Sequence, residues 1–198
     1  MIAGIVLAAG RSTRLGRPKQ LLPYRGRPLL AWVVAAMAGS RVDETVVVLG
    51  HDGERIAREV DLRGARAVYN ERYVESLSTS LQAGLAALGE DVTAAVLTVG
   101  DQPLLDADVI DALVDLHMRT GAPIVATDYG AYQGAPLVLH RSLWPLARRI
   151  HGDQGARALL RAYANADAIA TVPVPPALAV DIDTWEDYTR LQEMQGHI

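Results

Sequence analysis

No cysteine and no phenylalanine occur among the 198 residues, and lysine occurs once. The first absence removes disulfides, thiolate metal sites, iron–sulfur ligation and cysteine nucleophiles together. Long apolar runs are missing as well: the longest, Pro28 to Gly39, falls well short of the ~20 residues of a transmembrane span. The apolar start Met1 to Gly10 precedes the arginines, whereas a secretory signal puts its positive charges first, so a cytoplasmic protein away from membranes is expected. Acidic residues are absent from residues 1–42, which carry Arg11, Arg14, Arg17, Lys19, Arg25, Arg27 and Arg41; that segment is +7, the remainder −11 and the whole chain −4. A basic segment on a mildly acidic protein fits a small anion held at one site and not a nucleic acid backbone.

What is present is material for a core. Half of the residues are hydrophobic and 21% are charged, and the length fits one domain over residues 1–198. Short runs rich in valine and isoleucine alternate with segments of helical period, the pattern of an α/β protein: a three-layer α/β/α, Rossmann-like fold with a mostly parallel sheet. The runs predict strands near 3–8, 45–49, 65–69, 94–99, 124–127, 136–139 and 169–172. Helices are predicted near 28–38, 54–60, 77–88, 106–119, 141–149, 155–165 and 185–195. Thr184 with Asp187 three residues later reads as a helix start. Asp108, Asp111 and Asp115 fall opposite Val109, Leu113 and Leu116 and read as a solvated helix face. No long exposed apolar face stands out, and a monomer is expected.

The first predicted strand runs into Leu7-Ala8-Ala9-Gly10-Arg11-Ser12-Thr13-Arg14-Leu15-Gly16-Arg17-Pro18-Lys19. Small residues at a strand end let a phosphate approach the backbone at the carboxyl edge of the sheet, where open α/β folds bind ligands. Arg11, Arg14 and Lys19 supply cations there, and a lone lysine in an arginine-rich chain points to a position that needs an ammonium. Neither competing phosphate motif fits: Gly16 is followed by Arg17-Pro18-Lys19-Gln20, not by the lysine and hydroxyl residue of a Walker loop, and the glycine spacing is not the dinucleotide fingerprint. The bland alternative is a basic surface loop with a glycine turn.

Two carboxylate clusters follow. Asp101, in Val99-Gly100-Asp101-Gln102-Pro103, comes directly after the most apolar predicted strand and projects a carboxylate at the same edge. Such groups suit Mg²⁺, a hard cation that prefers oxygen ligands; the alternative is that Asp101 merely caps the next helix. Asp181 and Asp183 are two apart in an extended segment, so they share a face while Ile182 turns to the core. Two carboxylates near a third are costly without a cation; simple capping is again the alternative. The five histidines lack metal-ligand spacing, and no Gly-x-Ser-x-Gly elbow occurs.

Taken whole, the segment from Leu7 to Lys19 resembles the signature loop of the molybdenum-cofactor and sugar-nucleotide nucleotidyltransferases. The likeness is greatest to the CTP:molybdopterin cytidylyltransferase branch, since guanylyl-transferring relatives usually carry two glycines where this chain has Ala9-Gly10. The resemblance implies the nucleotidyltransferase fold. It makes Lys19, Arg14 and Asp101 catalytic and assigns nucleotide contacts to Leu7, Ala8, Ala9, Gly10, Arg11, Ser12, Lys19, Ser78 and Ser80. Mg²⁺ would rest on Asp101 and on a second group in the 181–183 segment, with Asp183 preferred to Asp181. His151, Asp153 and Arg157, in His151-Gly-Asp-Gln-Gly-Ala-Arg157, resemble the acceptor segment, although helix capping by Asp153 explains that stretch equally well. CTP and molybdopterin are the implied substrates, with a molybdenum hydroxylase or its chaperone as the implied protein partner. Guanylyl or sugar-phosphate transfer is a related alternative. Oxidoreductases of the nicotine blue oxidoreductase type also resemble this family, and a nicotinamide dinucleotide could use the same loop.

Overall fold

Central strands that are apolar on both faces need cover on both faces, and the order of elements supplies it. The computed structural model describes residues 1–152, 155–163 and 169–194. The strands are β1 (Ile2–Ala8), β2 (Pro23–Tyr24), β3 (Arg27–Pro28), β4 (Glu44–Leu49), β5 (Arg66–Tyr69), β6 (Ala94–Val99), β7 (Ile124–Asp128), β8 (Gln133–His140) and β9 (Ile169–Pro173). The helices are α1 (Leu29–Ala38), α2 (Gly53–Glu59), α3 (Leu77–Ala86), α4 (Ala107–Thr120), α5 (Trp144–Ala147), α6 (Gly155–Tyr163) and α7 (Trp185–Glu193).

Seven strands form one sheet in the order β5-β4-β1-β6-β8-β7-β9, while β2 and β3 make a separate small hairpin. Only β8 runs against its neighbours β6 and β7. Alternation along the strands divides the core. Ile5, Leu7, Val46, Val48, Ala95 and Leu97 pack under α3 and α6 with Leu81, Leu85 and Leu160. Val6, Val47, Leu49 and Val96 face α1 and α4, where Leu30, Val34, Ile110 and Leu113 meet them. Each such leucine or isoleucine contributes roughly 1.5–3 kcal/mol of burial. α1 is apolar nearly all round, as a helix buried on most sides must be.

A third, smaller cluster joins Leu15, Leu22, Tyr24 and Leu29 to Ile182 and Leu191. It fastens the loop after β1 to the segment before α7, although they are far apart in sequence. α7 starts as its sequence implies: the Thr184 hydroxyl accepts from the Asp187 amide at 3.2 Å and the Asp187 carboxylate accepts from the Thr184 amide at 2.8 Å, a complete capping box.

Three expectations need correction. The segment 141–149 is not one helix: a 3₁₀ turn over Arg141–Leu143 precedes the four-residue α5, because Pro145 has no N–H with which to continue a helix back through that turn. The acids of α4 are not simply solvated: Asp111 accepts from the Arg41 amide at 2.7 Å, and Asp115 pairs with the Arg41 guanidinium. The strand near 136–139 runs further, over Gln133–His140. Among the described residues no helix is long and apolar enough to cross a membrane.

Candidate active site

The chain moves from β1 outward to β4 and β5, then returns to place β6 on the other flank of β1. That reversal opens a crevice beyond the carboxyl ends of β1 and β6, where ligands bind in folds of this kind. Gly100 allows the two strand ends to come together: a Cβ there would lie 2.9 Å from both the Ala8 Cβ and Leu30 Cδ1.

The loop after β1 is bent sharply. Ser12 takes a positive φ of 53°, uncommon for a residue with a side chain, and Gly16 follows at φ 67°. The Ser12 carbonyl accepts from Leu15 and Gly16, and its hydroxyl accepts from the Lys19 amide at 3.0 Å. These bonds deliver Lys19 to the mouth of the crevice. Its ammonium donates to Asp101 Oδ2 and, at 2.7 Å, to Asp183 Oδ1. Lys19 and Asp101 are nearly buried, whereas Asp183 is about half exposed. Burial pulls the Lys19 pKa down, but the charge of Asp101, its hydrogen bond and the contacts of Asp183 outweigh this, so the pKa lies above the ordinary lysine value.

The capping alternatives can now be resolved. The helix after Asp101 is capped by Asp106, whose carboxylate accepts from Val109 at 3.0 Å, and α7 by Thr184 and Asp187. The carboxylates of Asp101 and Asp183 therefore engage Lys19 instead. Asp181 is sorted from Asp183 in the same way: its carboxylate accepts from Gln102 Nε2 at 2.8 Å. Ile182 is fully buried between them, its amide donating to the Asp101 carbonyl at 3.2 Å.

A metal fits this donor set. Asp101 Oδ1 is buried and has no hydrogen-bond partner among the described residues, and the oxygens of Asp101 and Asp183 already share a cation, the Lys19 ammonium. Among the described residues no group of three metal-ligating side chains converges. Two carboxylates completed by water and substrate phosphate is the usual holding of Mg²⁺.

The remaining site residues fall around this centre. Leu7, Ala8 and Ala9 are buried at the strand end, with Gly10 exposed beyond them. Arg11 and Arg14 are exposed, and among the described residues they form no ion pair. Ser78 and Ser80 are buried in the first turn of α3 and engaged: Ser78 shares a 2.7 Å bond with Ser76, and Ser80 accepts from Asn70 at 3.0 Å. His151 is exposed; the next carbonyl, of Gly152, accepts from the Ser78 amide at 3.3 Å, bringing this segment to the start of α3. Asp153 lies outside the described residues, as does the side chain of Arg157, whose backbone belongs to α6. A cavity of about 220 Å³ adjoins the carboxylates, walled by Leu77, Leu97, Leu137, Leu160 and Tyr132.

Gln20, Gln102 and Asn70 were not foreseen. They are neutral amides singled out by their contacts: Gln20 donates to carbonyls of the loop after β1, Asn70 to Thr79 and Ser80, and Gln102 to Asp181. The nearest signal is that Gln20 follows Lys19 directly in an otherwise apolar Leu21-Leu22 context. Arg17 and Trp185 also meet, the guanidinium 5.8 Å from the ring centroid.

A mostly parallel sheet with cations and carboxylates gathered at one strand-end crevice is an arrangement of the nucleotidyltransferases, and the family match gives the same class. Residues 4–168 match the MobA-like NTP transferase domain family, and the chain belongs to that family. It is 35% identical to nicotine blue oxidoreductase of Paenarthrobacter nicotinovorans over 169 residues, 81% of each chain. It is 40% identical over 133 residues to the bifunctional protein GlmU of Mycobacterium sp. (strain KMS), spanning 63% of this chain and 27% of that protein. Among solved structures, Rv0371c of Mycobacterium tuberculosis H37Rv superposes with a TM-score of 0.87 at 32% identity, covering 97% of both chains. A second structure of Rv0371c is a complex with manganese, with a TM-score of 0.82 at 31% identity, covering 97% of this chain and 98% of that one.

Proposed function

We propose that the protein transfers CMP from CTP to the terminal phosphate of molybdopterin and releases pyrophosphate, acting as a cytoplasmic monomer. The observation that carries this reading is the meeting of Lys19, Asp101 and Asp183 beside a loop whose Arg11 and Arg14 are exposed and, among the described residues, form no ion pair. Ala9 in the place of a glycine supports cytidine as the base, and the apolar-walled cavity beside the carboxylates offers room for part of an acceptor.

The chemistry needs placement more than covalent help. An acceptor phosphate oxygen attacks the α-phosphorus, a new P–O bond forms, and the bond to the bridging oxygen breaks as pyrophosphate leaves. The barrier is the approach of two anions and the charge that builds on the leaving group. Arg11 and Arg14 hold the β- and γ-phosphates, and Lys19 faces the α-phosphate with an ammonium. Mg²⁺ on Asp101 and Asp183, when bound, supplies further neutralisation of the reacting phosphates. His151, Asp153 and Arg157 take the acceptor side, and Ser78 and Ser80 the nucleoside side. A molybdenum hydroxylase or its chaperone would receive the product.

The test is pyrophosphate release from each of the four nucleoside triphosphates with Mg²⁺, with and without molybdopterin. Release from CTP that depends on molybdopterin is expected. Release with a sugar 1-phosphate instead removes the pterin and keeps the reaction class; no release under any condition removes both. The likeness to nicotine blue oxidoreductase favours one second reading, hydride transfer, which would consume NAD(P)H without metal and yield no pyrophosphate.

A further inference from the structure

Gln20 has no part in the chemistry above, yet it is among the most enclosed polar side chains in the molecule, 2% exposed. Its Nε2 donates to the Ala8 carbonyl at 2.7 Å and to the Gly10 carbonyl at 3.2 Å. The carbonyl between them, of Ala9, accepts from the His51 amide at 3.3 Å. Three successive carbonyls at the head of the loop are thus drawn toward the protein. In a trans peptide the C=O of one residue and the N–H of the next point in opposite directions. Holding the carbonyls of residues 8, 9 and 10 therefore turns the amides of Ala9, Gly10 and Arg11 away from Gln20 and His51. The Ala9 and Arg11 amides thus face away from Gln20 and the Gly10 amide away from His51, and outward-facing amides in a loop are the donors of an anion-binding concavity.

The side chain's own orientation is fixed by its partners. Two carbonyls demand donors, so the NH₂ group must face them, and Oε1 is left buried without a partner among the described residues. A methionine would fill the same space without that unpaired oxygen. What only the glutamine supplies is the pair of N–H donors. Gln20 also shares the 3₁₀ turn Lys19–Leu21 with Lys19, whose amide is bound to Ser12, so the end of the loop is clasped onto its beginning at two points.

We propose that Gln20 is a positioning residue that aims the amides of the loop at the phosphate chain of a bound nucleoside triphosphate. This rests on the nucleotidyl-transfer reading only for the nature of the ligand. Gln20→Met keeps the bulk and removes both donors. The expected result is a Kd for CTP with Mg²⁺ raised about tenfold or more, the scale of one hydrogen bond to a charged group. Cytidine affinity should stay within about twofold, Tm should fall by no more than a few degrees because the Ala8 and Gly10 carbonyls lose their donor while the unpaired Oε1 is removed with it, and KM for CTP should rise more than kcat falls. An unchanged Kd for CTP in a wild type that binds it overturns this inference alone, and so does an equal loss for cytidine and CTP. Wild-type protein that binds no nucleoside triphosphate overturns the transfer reading as well. Should Gln20→Met fail to fold, Gln20→Glu poses the same question through pH. Its ionised carboxylate cannot donate, whereas the protonated acid can, so affinity relative to wild type should recover as pH falls; no recovery overturns the proposal.

Discussion

The two edges of the sheet treat polar groups in opposite ways. Where the parallel strands begin, they are matched: Arg41 with Asp111 and Asp115, the Asp43 carboxylate with the Ile2 amide at 2.7 Å, and Arg141 with the Gly89 and Val92 carbonyls at 2.7 Å each. Where those strands end, among the described residues Arg11 and Arg14 form no ion pair and buried atoms of Gln20, Thr98, Asp101 and Gln102 have no hydrogen-bond partner. An unpaired buried polar atom costs about 1–3 kcal/mol, so the second edge is held together at a cost the first avoids. The first edge serves stability, and the polar groups left unmatched at the second are the ones the proposed transfer would use.

Substitutions should separate the edges. Asp101→Asn, at the ligand edge, is expected to lower turnover by about 10²–10³, the scale of one lost preorganised charge contact, read as pyrophosphate release; wild-type turnover would remove Asp101 from the reaction. Lys19→Met should lower turnover by about 10² for the same reason, yet tighten Mn²⁺ binding in the absence of nucleotide. It removes the ammonium that shares Asp101 and Asp183, and a manganese titration followed by electron spin resonance decides the sign. A lysine whose folded pKa is raised contributes stability below its unfolded value of 10.5 and loses it as pH rises through the folded value. Thermal stability should therefore be insensitive to this group below about pH 9 and fall above 10.5, and Lys19→Met should remove that alkaline component.

Thr184→Ala removes the cap of α7 and should cost about 1 kcal/mol, or roughly 2–4 °C in Tm. Because Asp187 also accepts from the Asp183 amide at 3.2 Å, a small loss of turnover should accompany it. Arg41→Ala, at the matched edge, should cost less than about 1 kcal/mol, as exposed ion pairs do, and leave turnover unchanged. A catalytic defect in Arg41→Ala would erase the contrast between the edges.

Much of this was legible in the sequence because each charged anchor follows an apolar signal. Lys19 ends the loop after β1, Asp101 follows β6, and Asp183 stands before a helix start that Thr184 and Asp187 announce. The reversed direction of β8 was not legible, since strand direction is set by neighbours and not by side-chain alternation. Nor was the β2–β3 hairpin, with two residues to a strand. Asp111 and Asp115 read as solvated because their partner, Arg41, lies 70 and 74 residues away. Gln20 and Gln102 carry no charge and repeat at no period, so only their contacts single them out.

The distances along the chain between Lys19 and its two carboxylates, 82 and 164 residues, bear on how the enzyme comes into being. During synthesis the loop and β1 emerge early, but the second carboxylate leaves the ribosome only after β9 has been made. A nascent or prematurely stopped chain can hold the loop after β1 and Asp101 and still lack the second carboxylate, so the assembled cluster reports that translation has run past residue 183.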